Sequence, residues 1–241
     1  MPVKKHLNLE QRKKLHGTDY VNQYLTKSPK RLRELVDRMH IAPGSDVIDF
    51  GCGDALIIQY IKDFVNSYQG VDFSSTFIEV ANRRKKAINA NNVNFECDSI
   101  ANFCKSHKEL YDIGFALDLS EHVYDKEWQE IVDAMYQCLR PGGIIYLHTP
   151  NASFFLERMK EHNFLIKQFP EHVAVRNAQS NHHFFSVAGF ENINVNFIPH
   201  YNILRLVHPL SCLPFVGEFF QARLFITAKK PLSNRELGAA T

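Results

Sequence analysis

Short runs rich in β-branched and aromatic residues alternate with amphipathic stretches along most of this chain, and no other feature limits its possible folds so strongly. The strand candidates are DVIDF (46–50), SYQGVDF (67–73), VNFECD (93–98), DIGFALD (112–118), GIIYLHT (143–149), INVNFIP (193–199) and RLFITAKK (223–230). Helical stretches separate them: SPKRLRELVDRMH before the first, DALIIQYIKDFV after it, STFIEVANRRKKAINA after the second and DKEWQEIVDAMYQCL after the fourth. Each opens on Ser or Asp, residues whose side-chain oxygens accept from the free N–H groups of a first helical turn. Such alternation predicts an α/β, Rossmann-like seven-stranded sheet, mostly parallel and flanked by helices. With 241 residues, 45% of them hydrophobic, the chain can bury the core of one large domain carrying a lid.

Two stretches break the alternation. Residues 150–192 are too long for one crossover and hold NASFFLERMKEHNFL and NAQSNHHFFSVAGF, each long enough for a helix. Residues 201–220, YNILRLVHPLSCLPFVGEFF, form the most apolar region. Arg205, His208, Pro209, Pro214 and Glu218 interrupt it, so it does not read as a membrane-spanning helix, although it could lie on a membrane or cover a greasy substrate. The expected organisation is an N-terminal helical segment or lid over 1–40, a domain over 41–231 with insertions near 150–192 and 201–221, and a flexible tail over 232–241.

A formal charge of +2 argues against nucleic acid as a partner, since no strong field would attract it. The basic residues in VKKHLNLEQRKKLHG and SPKRLRELVDR read as solvated helix faces, with an anionic contact as the alternative. Cys52, Cys97, Cys104, Cys138 and Cys212 contain no CxxC pair, and the N-terminus has no signal-peptide pattern. Reduced thiols and a cytoplasmic protein are expected, with peripheral membrane contact through 201–220 as an option.

The chemistry gathers at predicted strand ends. VIDFGCGDA (47–55) is a strand running into a turn in which Gly51 and Gly53 let the backbone approach a ligand closely. The third glycine of a dinucleotide fingerprint is absent. Asp72 ends the second strand, where its carboxylate could accept from both hydroxyls of a ribose; Asp98 ends the third, near an adenine amino group. Such residues share the edge at which open α/β sheets bind ligands. In FALDLSEHVYD (115–125), Asp118, Glu121 and His122 fall at i, i+3 and i+4 and would share one face of a helical turn. Two carboxylates and an imidazole could hold a divalent cation, with His172 or the rival His148 as a further ligand. Without a cation, His122 could serve as a general base. His182 and His183 read as a surface pair. His200 and His208 flank the apolar insertion, and Phe154, Phe155 and Phe164 either line an aromatic pocket or form a packing face.

Over residues 30–230 the chain resembles the class I S-adenosylmethionine-dependent methyltransferases, through VIDFGCGDA, GVDFS, ECDSI, FALDLSEHV and LRPGGIIYLHTPN in that order. The resemblance implies a seven-stranded sheet with an antiparallel last strand. Asp49, Gly51 and Gly53 would then hold the methionine moiety, Asp72 with Phe73 the ribose, and Asp98, Ser99 and Ile100 the adenine. Asp118 and Leu119 would border the sulfonium. Ala55 stands where many members have glycine. The acidic-x-x-Glu-His pattern with TPN and a later loop histidine is similar to the subgroup of ubiquinone-pathway O-methyltransferases and small-RNA 2′-O-methyltransferases. It implies a divalent metal on Asp118, Glu121, His122 and His172, with aspartate at the first position where glutamate is common. The expected activity is O-methylation of a small apolar or lipid-linked acceptor. RNA 2′-hydroxyl methylation and a non-catalytic partner subunit are the alternatives, disfavoured by the near-neutral charge and by retention of Gly51 and Asp72.

Overall fold

The computed structural model describes residues 29–232 together with residues 7, 8, 11, 14, 15, 17, 20 and 21. Half of the expected N-terminal helical segment over 1–40, and the tail beyond Leu232, lie outside the described residues. Strands β1 (Asp46–Phe50), β2 (Ser67–Asp72), β3 (Val93–Cys97), β4 (Tyr111–Leu117), β5 (Leu139–Pro150), β6 (Glu191–Ile198) and β7 (Arg223–Lys229) form one sheet in the order β3-β2-β1-β4-β5-β7-β6. The first five pair in parallel, and β7 runs antiparallel to both β5 and β6, as the sequence predicts. Reversal of strand order at β1 and β4 opens a crevice at their carboxyl ends, the usual ligand site of such sheets.

Alternation along the strands builds two cores, one on each face of the sheet. Ile48, Phe50, Ala116, Ile145, Leu147 and Ile226 pack on α4 (Ile100–Ser106), α5 (Asp125–Cys138) and α7 (Ala178–Val187). In α5, Trp128, Val132, Met135 and Cys138 recur at helical spacing and are fully buried. Val47, Tyr68, Ile113, Phe115, Tyr146 and Phe225 point the other way, toward Leu32 and Leu35 of α1 (Lys30–Val36) and Ile58 and Ile61 of α2 (Ile58–Ile61). Helices α3 (Ser75–Ala87) and α6 (Phe155–Glu161) also lie within residues 29–232.

The helix expected over 54–65 shrinks to the four residues of α2. Arg84 takes Asp54 Oδ2 at 2.6 Å and Asp54 Oδ1 accepts from Leu56 N–H at 3.3 Å, both ahead of the helix start, and Ala55 adopts a positive φ of 51°. Ser74 caps α3, one residue before the expected Ser75, accepting from the Phe77 N–H. Within 150–192 the two expected helices shorten to α6 and α7, the latter capped by the Asn177 side chain. The 201–220 insertion folds into 3-10 turns over Ile203–Cys212 and Gly217–Phe220. Among the described residues, no helix is long and apolar enough to cross a membrane.

Candidate active site

A cavity of about 480 Å³ opens at the carboxyl ends of β1, β2, β3 and β4. It brings together Gly51, Gly53, Asp72, Phe73, Asp98, Ser99, Ile100, Asp118, Leu119 and His122, ten positions singled out from the sequence. Gly51 and Gly53 both have positive φ, and a Cβ on Gly51 would stand 2.9 Å from Leu119 Cδ1. The turn is therefore a cradle that only glycine leaves open. Asp72 accepts from Gly53 N–H (3.0 Å) on one oxygen and from Ser74 N–H (2.8 Å) on the other, leaving a lone pair on each for the two hydroxyls of a ribose. Burial raises the Asp72 carboxyl to about 6, against those two hydrogen bonds. Ser99 caps α4, its Oγ accepting from Asn102 N–H, while Asp98 accepts from Ser99 N–H and the Asn102 side-chain amide and shares the wall with Ile100.

Asp49 is not on the cavity wall. It lies buried behind the turn, where Tyr68 donates to it at 2.6 Å, and burial raises its carboxyl to about 7 with Asp72 and Asp54 adding to the rise.

Ser120–His122 forms a short 3-10 turn directly after β4. Ligand atoms of Glu121, His122 and His172 all fall within 4.8 Å of one another. Glu121 is buried, which raises its pKa, and it accepts from Thr149 Oγ1 (3.1 Å), itself 2.8 Å from Ser120 Oγ. His122 Nδ1 lies 3.0 Å from the Glu171 carbonyl, which can only accept, so Nδ1 carries a proton. One buried carboxylate and two imidazoles at this spacing fit a divalent ion. His122 also borders the cavity, so the cluster and the cavity meet at its ring.

Asp118 does not join that cluster, which corrects its expected place among the ligands. With φ +56° the chain turns its carboxylate away, toward Arg31 of α1, Arg223 Nη1 of β7 (3.4 Å) and His148 Nδ1 (2.7 Å). His148, the rival ligand, is buried in the same network, its Nε2 3.0 Å from the Tyr201 hydroxyl. Burial, then Arg223 and Arg31, push its pKa well down, so it is neutral and accepts the Tyr201 proton. His182 and His183 are exposed, and so is Phe164; Phe154 is buried in the core.

Arg176 was not singled out from the sequence. Its buried guanidinium donates to the carbonyls of Ser120 (2.5 Å), Val123 (2.8 Å) and Ala174 (3.1 Å) and to Asp125 (2.9 Å), and stacks over Trp128 and Phe184. Ser120 and Val123 bracket Glu121 and His122, and the Val173 and Ala174 N–H groups donate to the Glu121 carbonyl. One side chain therefore fastens the turn to the loop that carries His172. A lone Arg within HVAVRN gives no periodic or motif signal to mark it.

Residues 24–195 match the methyltransferase domain family. Over 127 residues the chain is 28% identical to a ubiquinone biosynthesis O-methyltransferase of Coxiella burnetii, a match covering 53% of this chain and 52% of that one. The chain thus spans about half the length of the curated relatives it matches. Two S-adenosylmethionine-dependent methyltransferases share the fold. One, from Thermotoga maritima, has TM-score 0.66 and 19% identity over 91% of this chain and 99% of that one. The other, from Archaeoglobus fulgidus, has TM-score 0.63 and 16% identity over 91% and 97%.

Proposed function

The chain belongs to the methyltransferase domain family, and from that membership we propose that it transfers the methyl group of S-adenosylmethionine to a hydroxyl of a small apolar or lipid-linked acceptor. The observation that carries the reading is the position of His122, on the cavity wall and within the Glu121, His122, His172 cluster. When bound, the cofactor supplies an activated methyl group, and a divalent cation on the cluster would make an acceptor hydroxyl more acidic. Asp72 holds the ribose, the Gly51 and Gly53 turn admits the methionine portion, and Asp98 and Ile100 border the adenine. An acceptor hydroxyl must shed its proton as the methyl group arrives, and on this reading the His122 imidazole would take it or ligate the cation. Glu121 and His172 supply the other two cation ligands. The aromatic ring of Tyr20, edge-on to Phe77 and to His122, lines the cavity beside His122.

The test is incubation with methyl-labelled S-adenosylmethionine and phenolic, lipid-linked and RNA acceptors, with and without a chelator. Label on a hydroxyl, lost on chelation and regained with added Mg²⁺ or Mn²⁺, is expected. His122→Ala and Glu121→Gln should lower turnover roughly 100-fold or more while S-adenosylhomocysteine still binds. Label on amines only, or no cofactor binding in a calorimeter, would defeat the reading. Activity that ignores the chelator would leave His122 as a metal-free base.

A further inference from the structure

The insertion between β6 and β7 shows apolar side chains to solvent in a way that the chemistry above does not use. Within Ile203–Cys212 no residue is buried. Phe215 is 98% exposed, Ile203 77% and Leu206 73%, and Leu210, Leu213 and Val216 are exposed as well. In a 3-10 helix every third residue shares a row, so Ile203 and Leu206 stand on one line, while Leu204, Val207 and His208 are half-buried toward the domain. Every residue from Cys212 to Val216 is exposed. Soluble proteins rarely show such a contiguous apolar run unless something covers it.

This surface is built, not loose. Gly217 closes the loop: a Cβ there would stand 2.3 Å from the Ser211 carbonyl oxygen, and Gly217 N–H donates to Leu213 O at 3.0 Å. Phe215 sits at φ +66°, a backbone region costly for an aromatic residue and most often retained where a side chain must be displayed. Both ends of the insertion are pinned beside the site. Tyr201 touches His148, Arg158 covers the Phe219 ring at 4.6 Å, and Asn151 donates to the Gln221 carbonyl.

Charge identifies the occupant. Arg205 projects among the apolar side chains and lies 3.9 Å from Glu34 of α1, and His208 feels the positive charge of Arg38. The adjoining stretch of α1 and its end expose Lys30, Arg33 and Arg38, against Glu34 and Asp37. Exposed apolar side chains rimmed by excess positive charge match a bilayer interface with anionic headgroups, into which aromatic and aliphatic groups insert while Lys and Arg meet phosphates. We propose that residues 203–216 dock this protein on an anionic lipid surface, with Phe215, Leu206 and Ile203 inserted and Arg205 with the α1 cations at the headgroups. Docking stands apart from the methyl-transfer reading, because it requires neither cofactor nor acceptor.

The experiment is sedimentation of the full chain with sucrose-loaded vesicles of phosphatidylcholine, with and without 30% phosphatidylglycerol, together with light scattering for oligomeric state. Binding to the anionic vesicles, weakened by 0.5 M salt and by omitting phosphatidylglycerol, is expected. Phe215→Asp and Leu206→Glu, both at exposed side chains, should each reduce vesicle binding at least tenfold while melting temperature and S-adenosylhomocysteine affinity stay unchanged. Arg205→Glu should reduce binding to the anionic vesicles alone. Three results would overturn the proposal: no binding of wild type to anionic vesicles, wild-type binding by Phe215→Asp and Leu206→Glu, or a wild-type dimer that Phe215→Asp dissociates, which would make the occupant a second copy of the chain.

Discussion

At the scale of the residue, Asp49 and Asp72 are carboxylates raised to about 7 and about 6 from an ordinary 3.8, because the fold takes them out of water. The unfolded chain ionises them near pH 4, while the folded, ligand-free chain holds their protons longer. Their contribution to stability therefore falls as pH rises from about 4 to about 7. Ribose hydroxyls on Asp72, which lines the cavity, would favour its ionised form, so ligand binding opposes that trend at Asp72. S-adenosylhomocysteine should bind more weakly at pH 5.5 than at pH 8, by up to about tenfold per pH unit below the raised value, in calorimetric titrations. Asp72→Asn should cut affinity and flatten that profile. Arg176 works through other groups. Arg176→Lys should lower turnover roughly 10–100-fold, since an ammonium cannot reach the Ser120, Val123 and Ala174 carbonyls at once, while S-adenosylhomocysteine affinity holds. Arg176→Met should cost about 3 kcal/mol in urea denaturation by leaving those buried carbonyls unpaired.

At the scale of the element, strands were more legible than helices. Buried parallel strands read as continuous apolar runs, and each of the seven lies within a few residues of its expected place. Helix α2 was over-read because Asp54 looks like a cap, while the structure commits it to Arg84, thirty residues on. The glycine turn was legible as a unit because a close approach needs glycine wherever the fold puts it. Gly51→Ala should weaken S-adenosylhomocysteine binding roughly tenfold, measured by calorimetry, through its positive φ and the collision with Leu119. The turn after β4 was only half legible. Spacing placed Asp118, Glu121 and His122 on one face, but the left-handed backbone at Asp118 swings that carboxylate toward Arg31, Arg223 and His148, long-range partners that no local spacing encodes. His172 joins Glu121 and His122 because residues 171–174 lie along the turn, an arrangement fixed by Arg176 from outside the motif.

At the scale of the whole molecule, the cavity draws on the ends of four strands, so a ligand filling it ties together elements distant in sequence. S-adenosylhomocysteine at about 100 times its dissociation constant should add about 2.7 kcal/mol and raise the melting midpoint by roughly 5–10 °C in a thermal scan. The sheet's strand order has a further consequence, for how the chain is made. Residues 191–198 are synthesised before residues 223–229, yet β6 meets the rest of the sheet, among the described residues, through β7 alone. While the ribosome is still producing the insertion, β6 has no neighbour to pair with, and β5 shows an open edge. The apolar side chains of 203–216 leave the ribosome in that same interval, so the nascent chain passes through a stage with two unpaired strand edges and a greasy loop exposed together, the stage at which a chaperone would have most to hold.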